Sequence, residues 1–427
     1  MSCKTAASLP GCGCFSYVCG KSEIVTLRPV KSHCIMVLTK TNERTEGTTF
    51  PPPQSLPMKT ETERLNTCLP LVVAWYDRVR RPLPWRQDPP PYHVWLSEIM
   101  LQQTRIEAVI PYYHRFLAQY PTVAALAQSE DERLMKLWEG LGYDRRARNL
   151  KKAAVQSMEQ YGGQLPQQAA ELKKLPGIGD YTAGANASIA YGQPEPAVDG
   201  NVLRVLARLL ASEEDIALTG TKARFTALLR QSYPSGREAA LLTEGIMELG
   251  ETICIPNGEA KCAACPLQAH CLAHETDTVA RYPVKSPPRE RRLEQRTVLL
   301  LRHDSRYAIR KREEKGLLAG LWEFPNVLGR LSPAEAAAWA EAQGLTVTSC
   351  APCPPGKHVF THVEWHMDAW LLDCAEEAGA FLWKSPAEIS DGFSVPTTFR
   401  FCLKLINGKR LPGLRVDTAQ ENITIQT

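Results

Sequence analysis

Four cysteines crowd one short segment, CIPNGEAKCAACPLQAHC (254–271), with seven, two and five residues between Cys254, Cys262, Cys265 and Cys271. Thiolates this close suit Zn²⁺ or an iron–sulfur cluster, and composition alone does not separate the two. Zinc ribbons bring two C-x-x-C knuckles from separate hairpins, whereas here one knuckle, Cys262 and Cys265, is flanked by two lone cysteines. A loop wrapped round a larger object, such as a [4Fe–4S] cube, fits that arrangement better. A second stretch with chemical use is LPGIGDYTAGA (175–185). Its proline and two glycines, Gly177 and Gly179, allow a tight turn whose backbone N–H groups meet the start of the next helix. Such helix ends hold phosphates without reading bases. Cys350 and Cys353 form a short C-x-x-C with no second pair nearby, and read as part of a loop.

These groups need elements to position them. The chain has 427 residues, enough for two domains and a tail. Fifty Lys and Arg against 46 Asp and Glu give a net charge of +4, which neither requires nor excludes a polyanionic partner. No run of apolar residues is long enough to span a membrane. Fourteen cysteines without a secretory signal point to reduced thiols and metal ligands, hence to the cytoplasm, or to the nucleoid in a bacterium. Residues 1–57 show neither helical nor strand period and are expected to be a disordered extension; Met58, where helical periodicity begins, is a candidate initiator. Apolar residues then recur at three and four, as in VWLSEIMLQQTRIEAVIPYYHRFL (94–117), DERLMKLWEGLG (131–142) and NVLRVLARLL (201–210). This predicts a helical domain over 58–280. The basic, proline-rich 281–296 reads as an extended linker. Strand patterns in RTVLLLRHDSRYAIRKR (296–312) and EWHMDAWLLDC (364–374) predict an α+β domain over 297–427.

L-P-G-I-G is the helix–hairpin–helix signature, and with VDGNV (198–202) and the four-cysteine loop it resembles the endonuclease III superfamily of DNA glycosylases. PWR (84–86), WLSEIMLQQTR (95–105), GLGYDRRARNL (140–150) and GLLAGLWEFP (316–325) resemble its MutY branch, the adenine DNA glycosylases. The resemblance implies a mainly α fold: a two-lobed helix–hairpin–helix domain carrying a [4Fe–4S] cluster, followed by a Nudix-like domain that reads 8-oxoguanine. It implies excision of adenine mispaired with 8-oxoguanine or guanine in duplex DNA, by a monomer.

Breaking an N-glycosidic bond through an oxocarbenium-like sugar calls for a neutral acid at the base and an anion at the sugar. Glu98 lies in an apolar helix, where desolvation favours the neutral form; Asp199 precedes a helix, whose positive end favours the anion. By resemblance Glu98 is the general acid, Asp199 stabilises or transiently captures the sugar cation, and Asn201 and Tyr181 orient the site. Bifunctional relatives carry a lysine where Tyr181 stands, so a monofunctional enzyme is implied rather than an endonuclease III-like lyase for oxidised pyrimidines. Trp85, Arg86 and Glu248 match residues of the adenine pocket, Gln103 and Tyr143 groups inserted into the base stack, and Phe360, Thr361 and His362 the lesion-reading turn. The chain departs from the branch in four ways: a first cysteine gap of seven rather than six, Asp144, Asp180, and Thr361 in place of serine. Two other readings, a Nudix pyrophosphatase and a redox-sensing DNA binder, are weaker. AAAWAEAQG (336–344) keeps Glu341 but lacks the other glutamates a Nudix metal site needs, and the binder would show no activity on a duplex with adenine opposite 8-oxoguanine.

Overall fold

The computed structural model describes four strands within residues 1–57, and residues 60–408 apart from Asp88, Pro288 and Arg289. Residues 1–57 form a unit of their own. In it β1 (Lys4–Thr5), β2 (Phe15–Val18), β3 (Ile24–Val30) and β4 (His33–Val37) pair antiparallel in chain order. The expected disordered extension had no place for these strands, because backbone pairing of β-branched runs such as Ile24-Val25-Thr26 needs no alternation of polar and apolar residues. The rest of that extension, with Met58, lies outside the described residues.

The second unit begins with α1 (Glu61–Val79), started by a reciprocal capping box between Thr60 and Glu63. One helical lobe follows: α2 (Pro91–Leu101), α3 (Ile106–Gln119), α4 (Val123–Ala127), α5 (Asp131–Trp138), α6 (Arg145–Tyr161), α7 (Ala169–Leu172) and α8 (Asp180–Tyr191). Its core gathers Trp95, Tyr113, Phe116, Trp138 and Leu150. The chain then crosses into α9 (Gly200–Leu209), α10 (Thr219–Arg230) and α11 (Arg237–Thr252), which pack with α1 around Val72, Val205, Phe225 and Leu249. Cys254, Cys265 and Cys271 lean on that second core. The two lobes meet where α2 and α8 face α9 and α11. No helix among the described residues is long and apolar enough to cross a membrane.

The expected linker is shorter than 281–296. Tyr282 is buried, and β5 (Arg292–His303) already begins inside that range. Its charged first residues hid the strand, yet Glu294 pairs with both Arg292 and Arg296, so they sit along a sheet at little electrostatic cost. With β6 (Arg306–Lys311), β7 (Trp322–Glu323), β8 (Asn326–Leu328), β9 (Val347–Val359), β10 (Val363–Cys374) and β11 (Leu382–Lys384) it builds one mixed sheet in the order β11-β6-β5-β10-β9. β5 and β10 run parallel at its centre, β7 lies beside β6, and β8 beside β5. Helix α12 is Leu272–Glu275, in the cysteine loop, and α13 (Pro333–Glu341) covers one sheet face. Phe399 and Cys402 cover the other, with α14 (Pro386–Gly392) alongside. Cys350 and Cys353 are not in a loop: both lie in β9, and their side chains join opposite cores. The prolines that masked this strand are tolerated because β9 is a sheet edge, where a missing N–H breaks no ladder.

Close packing of α8 is testable. A Cβ at Gly184 would stand 2.3 Å from the Pro196 carbonyl oxygen, at the crossing between the lobes. Gly184→Ala should cost roughly 1–3 kcal/mol, seen as a lowered urea midpoint.

Candidate active site

Glu98 sits near the end of α2, only 6 % exposed, at the seam between the lobes. Burial pushes its carboxyl up to about 7, with the nearby Glu244 and Asp199 adding to the rise. Opposing this are a hydrogen bond of 2.8 Å donated by the Tyr181 hydroxyl to Glu98 Oε2 and the charge of Arg86. Tyr181 reaches the seam from the first turn of α8, and its hydroxyl also stands 3.1 Å from Met247 Sδ on α11. One tyrosine thus touches both lobes.

Asp199 is the N-cap of α9. One carboxylate oxygen accepts from the Val202 N–H at 2.8 Å and the other from Asn201 Nδ2 at 2.9 Å. The sequence pointed to a helix end that favours the anion. The structure adds an opposing effect: burial outweighs these donors and leaves the net shift upward. Both carboxyls therefore move up, but Asp199 carries several donors that hold its charged form, and Glu98 one.

Behind Asn201 lies a chain of buried arginines. Arg204 donates to Asn201 Oδ1 at 2.8 Å and to the carbonyls of Gly250 and Cys254 at 2.7 Å each. One turn on, Arg208 donates to Cys254 Sγ at 3.2 Å and to the carbonyls of Ile255 and Tyr282. The signal for these two was present in NVLRVLARLL: arginines four apart on a helix otherwise apolar all round. Burial raises Cys262, Cys265 (to about 12) and Cys271, and neighbouring thiols push each of them higher. That mutual repulsion is what a shared cationic centre relieves, so the donor set fits a thiolate-bound group. No set of three or more His, Cys, Asp or Glu among the described residues stands at metal-holding geometry. The long first gap closes on itself: the Lys261 N–H donates to the Ile253 carbonyl, and Gly258 takes φ +79°.

Arg86 and Glu248 do meet, at 2.9 Å, in a network the sequence showed only in part. Glu248 also binds Arg81, while Glu244 lies 3.8 Å from Arg86 and accepts from the Tyr76 hydroxyl. Trp85 is buried edge-on against Tyr113 in the first core, next to Arg86.

Gln103 and Tyr143, both exposed, have φ of +56° and +51°. Left-handed backbone is costly outside glycine, and both of these turns adopt it. Arg146 holds both turns. Its guanidinium donates to the carbonyls of Ile99, Met100 and Gln102 on one side and of Leu141 and Gly142 on the other. A cleft of 990 Å³ runs past Tyr143 to Gly177 in the hairpin and to Phe360, Thr361 and His362 in the sheet domain. Phe360 is wedged between His358 and Trp365, and its N–H closes the turn onto the Val363 carbonyl at 2.8 Å; Thr361 and His362 stay exposed. Arg145, Arg148 and Lys152 line the same cleft from one face of α6, a basic stripe whose i, i+3, i+7 spacing is its signal in the sequence. Gly177 needs its φ of +80° and the space beside Asn149; Gly179, the N-cap of α8, is exposed. Of the two unexpected acids, Asp180 pairs with Lys173 at 3.1 Å, and Asp144 opens α6 half-buried near Arg146 and Arg148.

A two-lobed helical body with a hairpin, a seam carboxyl and a four-thiol loop defines a base-excision protein of the helix–hairpin–helix class. Residues 96–231 match the family described as HhH-GPD superfamily base excision DNA repair protein, and residues 296–405 match the NUDIX domain. Proteins named adenine DNA glycosylase are similar over most of the chain. The mouse protein is 33 % identical over 70 % of this chain and 69 % of its own length. That of Buchnera aphidicola from Acyrthosiphon pisum is 30 % identical over 71 % and 85 %. The chain belongs to the adenine DNA glycosylase family. It spans about half the length of the Arabidopsis thaliana relative, which is 37 % identical over 63 % of this chain and 48 % of its own length.

A carboxyl with a raised pKa keeps its proton below that value and loses it above. Glu98 should therefore titrate near 7, neutral on the acid side, when followed by carboxyl-carbon NMR. Because the Tyr181 hydroxyl favours the charged form, Tyr181→Phe should move the midpoint upward; a downward move would contradict the assigned hydrogen bond.

Proposed function

We propose that this protein is a monofunctional glycosylase that hydrolyses the N-glycosidic bond of adenine opposite 8-oxoguanine or guanine in duplex DNA. The observation that carries the reading is the pairing at the seam of Glu98, protonated up to neutral pH, with Asp199, whose charged form is held by the α9 cap. Neutral Glu98 delivers a proton to N7 of an extruded adenine, which makes the base a better leaving group. Asp199 faces the electron-poor sugar that remains. Asn201 keeps the Asp199 carboxylate oriented, and Arg204 keeps Asn201 oriented. Arg86, fixed by Glu248, belongs to the wall of the adenine pocket. Tyr181 has no amine with which to form a Schiff base, and its hydroxyl is engaged with Glu98, which supports base removal without strand cleavage.

The cleft supports the DNA side of the proposal. The hairpin N–H groups at Gly177 and Gly179 and the α6 stripe suit phosphates, while Gln103 and Tyr143 suit insertion into the stack. Exposed Thr361 and His362, set on anchored Phe360, suit the reading of 8-oxoguanine from across that cleft. Cys254, Cys262, Cys265 and Cys271 would hold a [4Fe–4S] cluster, which would fix the loop against α9. Anaerobically purified protein should then contain about four irons per chain by metal analysis, as such a cube requires; zinc alone in an active sample would overturn the assignment.

The test is single-turnover cleavage of duplexes with adenine opposite 8-oxoguanine, guanine or thymine, with alkali added to reveal abasic sites. Excision should be fastest opposite 8-oxoguanine and absent opposite thymine. Asp199→Asn and Glu98→Gln should each lose at least about 100-fold in rate while still binding the duplex, since both keep shape and lose the charge or the proton. Trapping of the native protein on DNA by borohydride would instead point to a lyase.

A further inference from the structure

We propose that α5 is a clasp that fixes the distance between the adenine pocket and the lesion-reading domain, making Glu132 and Lys136 positioning residues for lesion discrimination. The inference rests on the proposed reading of 8-oxoguanine by the sheet domain.

An exposed Glu and Lys four apart on a helix usually pair with each other. On α5 they do not. Leu134, Met135 and Trp138 bury one face of the helix in the first lobe, and the other face turns to the sheet domain. Glu132 accepts from Lys311 Nζ at 2.7 Å and from Trp322 Nε1 at 3.1 Å. Lys136 pairs locally with Glu139 and donates across the boundary to the carbonyls of Ser390 and Phe393, the latter at 3.1 Å. These carbonyls lie at the C-terminal end of α14, where the helix dipole favours a cation. The two landing points are joined: the rings of Trp322 and Phe393 stack edge to face with centroids 4.9 Å apart.

An exposed ion pair adds little stability by itself, and Glu132 and Lys311 are 50 % and 43 % exposed. Their use is to set register, while apolar contact supplies the adhesion. Leu321 is buried in the first lobe's core although it belongs to the sheet domain, and Leu318 packs against both cores. The position of the clasp along the chain gives it a consequence. Immediately after α5, Trp138 Nε1 donates to the Gly142 carbonyl at 3.2 Å, and the Tyr112 hydroxyl to the Glu139 carbonyl at 2.7 Å. The helix held by the sheet domain therefore leads directly into the turn bearing Tyr143. A shift of the sheet domain moves the reading turn and the stack-inserting turn relative to each other.

The experiment uses the full-length protein. Lys136→Met and Glu132→Lys should each reduce the preference for adenine opposite 8-oxoguanine over adenine opposite guanine by about tenfold, the order of one lost base-edge contact. The rate opposite guanine should stay within about twofold of wild type, because neither residue touches the pocket. The double variant Glu132→Lys with Lys311→Glu should recover part of the preference, because the ion pair is restored while the Trp322 Nε1–H loses its acceptor. Hydrogen exchange read by mass spectrometry should rise at 131–139 and 386–394 in the single variants, and elsewhere stay as in the wild type. Unchanged preference in both single variants, a reversed pair no better than Glu132→Lys alone, or exchange that rises throughout the chain overturns the clasp. If wild-type protein shows no preference for 8-oxoguanine, the proposed function fails, and the local exchange measurement still decides whether α5 holds the domains.

Discussion

The site depends on keeping one carboxyl group away from water. Glu98 can be a neutral acid near pH 7 only while the seam between the lobes stays closed over it. Both lobes contribute: α2 and α8 bring Glu98 and Tyr181, and α9 and α11 bring Asp199, Met247 and Glu248. If the lobes part, desolvation disappears and the group becomes an ordinary ionised glutamate. The packing of the helices is for that reason a part of the chemistry.

Buried arginines link the pieces. Arg146 ties the end of α2 to the turn before α6, Arg204 ties Asn201 to the end of α11, and Arg208 ties α9 to the first cysteine. Each is a planar fork that satisfies several carbonyls at once, which lysine does not reproduce. Charge buried in this way is tolerable because most of the donors meet carbonyl, amide or thiol acceptors; Arg146 Nε is the one buried donor left without a partner among these three side chains. The arrangement suits the proposed site, in which proton donor, sugar-facing anion and stack-inserting turns would have to keep register.

In the proposed function, recognition of DNA is divided between parts with different physics. The exposed hairpin glycines Gly177 and Gly179 and the basic stripe of α6 would act on phosphate, which carries no sequence information. Thr361 and His362 face the cleft from the opposite side, held up by a turn whose aromatic anchor is itself packed. The sheet domain presents them through β9 and β10, and β5 pairs with the same turn through Arg292 and His362.

Much of this was legible in the sequence, and the limits were physical. Local chemistry was readable: the capped Asp199, the hairpin glycines, the apolar surroundings of Glu98 and the spacing of the cysteines are properties of short segments. The helical domain and the α+β domain showed in their hydrophobic periods. What failed was whatever depends on partners remote in the chain. β9 was hidden by prolines that an edge strand tolerates, the start of β5 by charges that pair along it, and the strands of 1–57 by a lack of alternation. Arg81, Glu244, Tyr76, Arg146 and Arg204 each look ordinary alone, because a buried network exists only when several helices converge. Tertiary structure alone decided that Glu132 and Lys136 reach away from each other. It likewise decided that burial offsets the helix cap at Asp199, since desolvation is set by everything packed around a group and not by its neighbours in sequence.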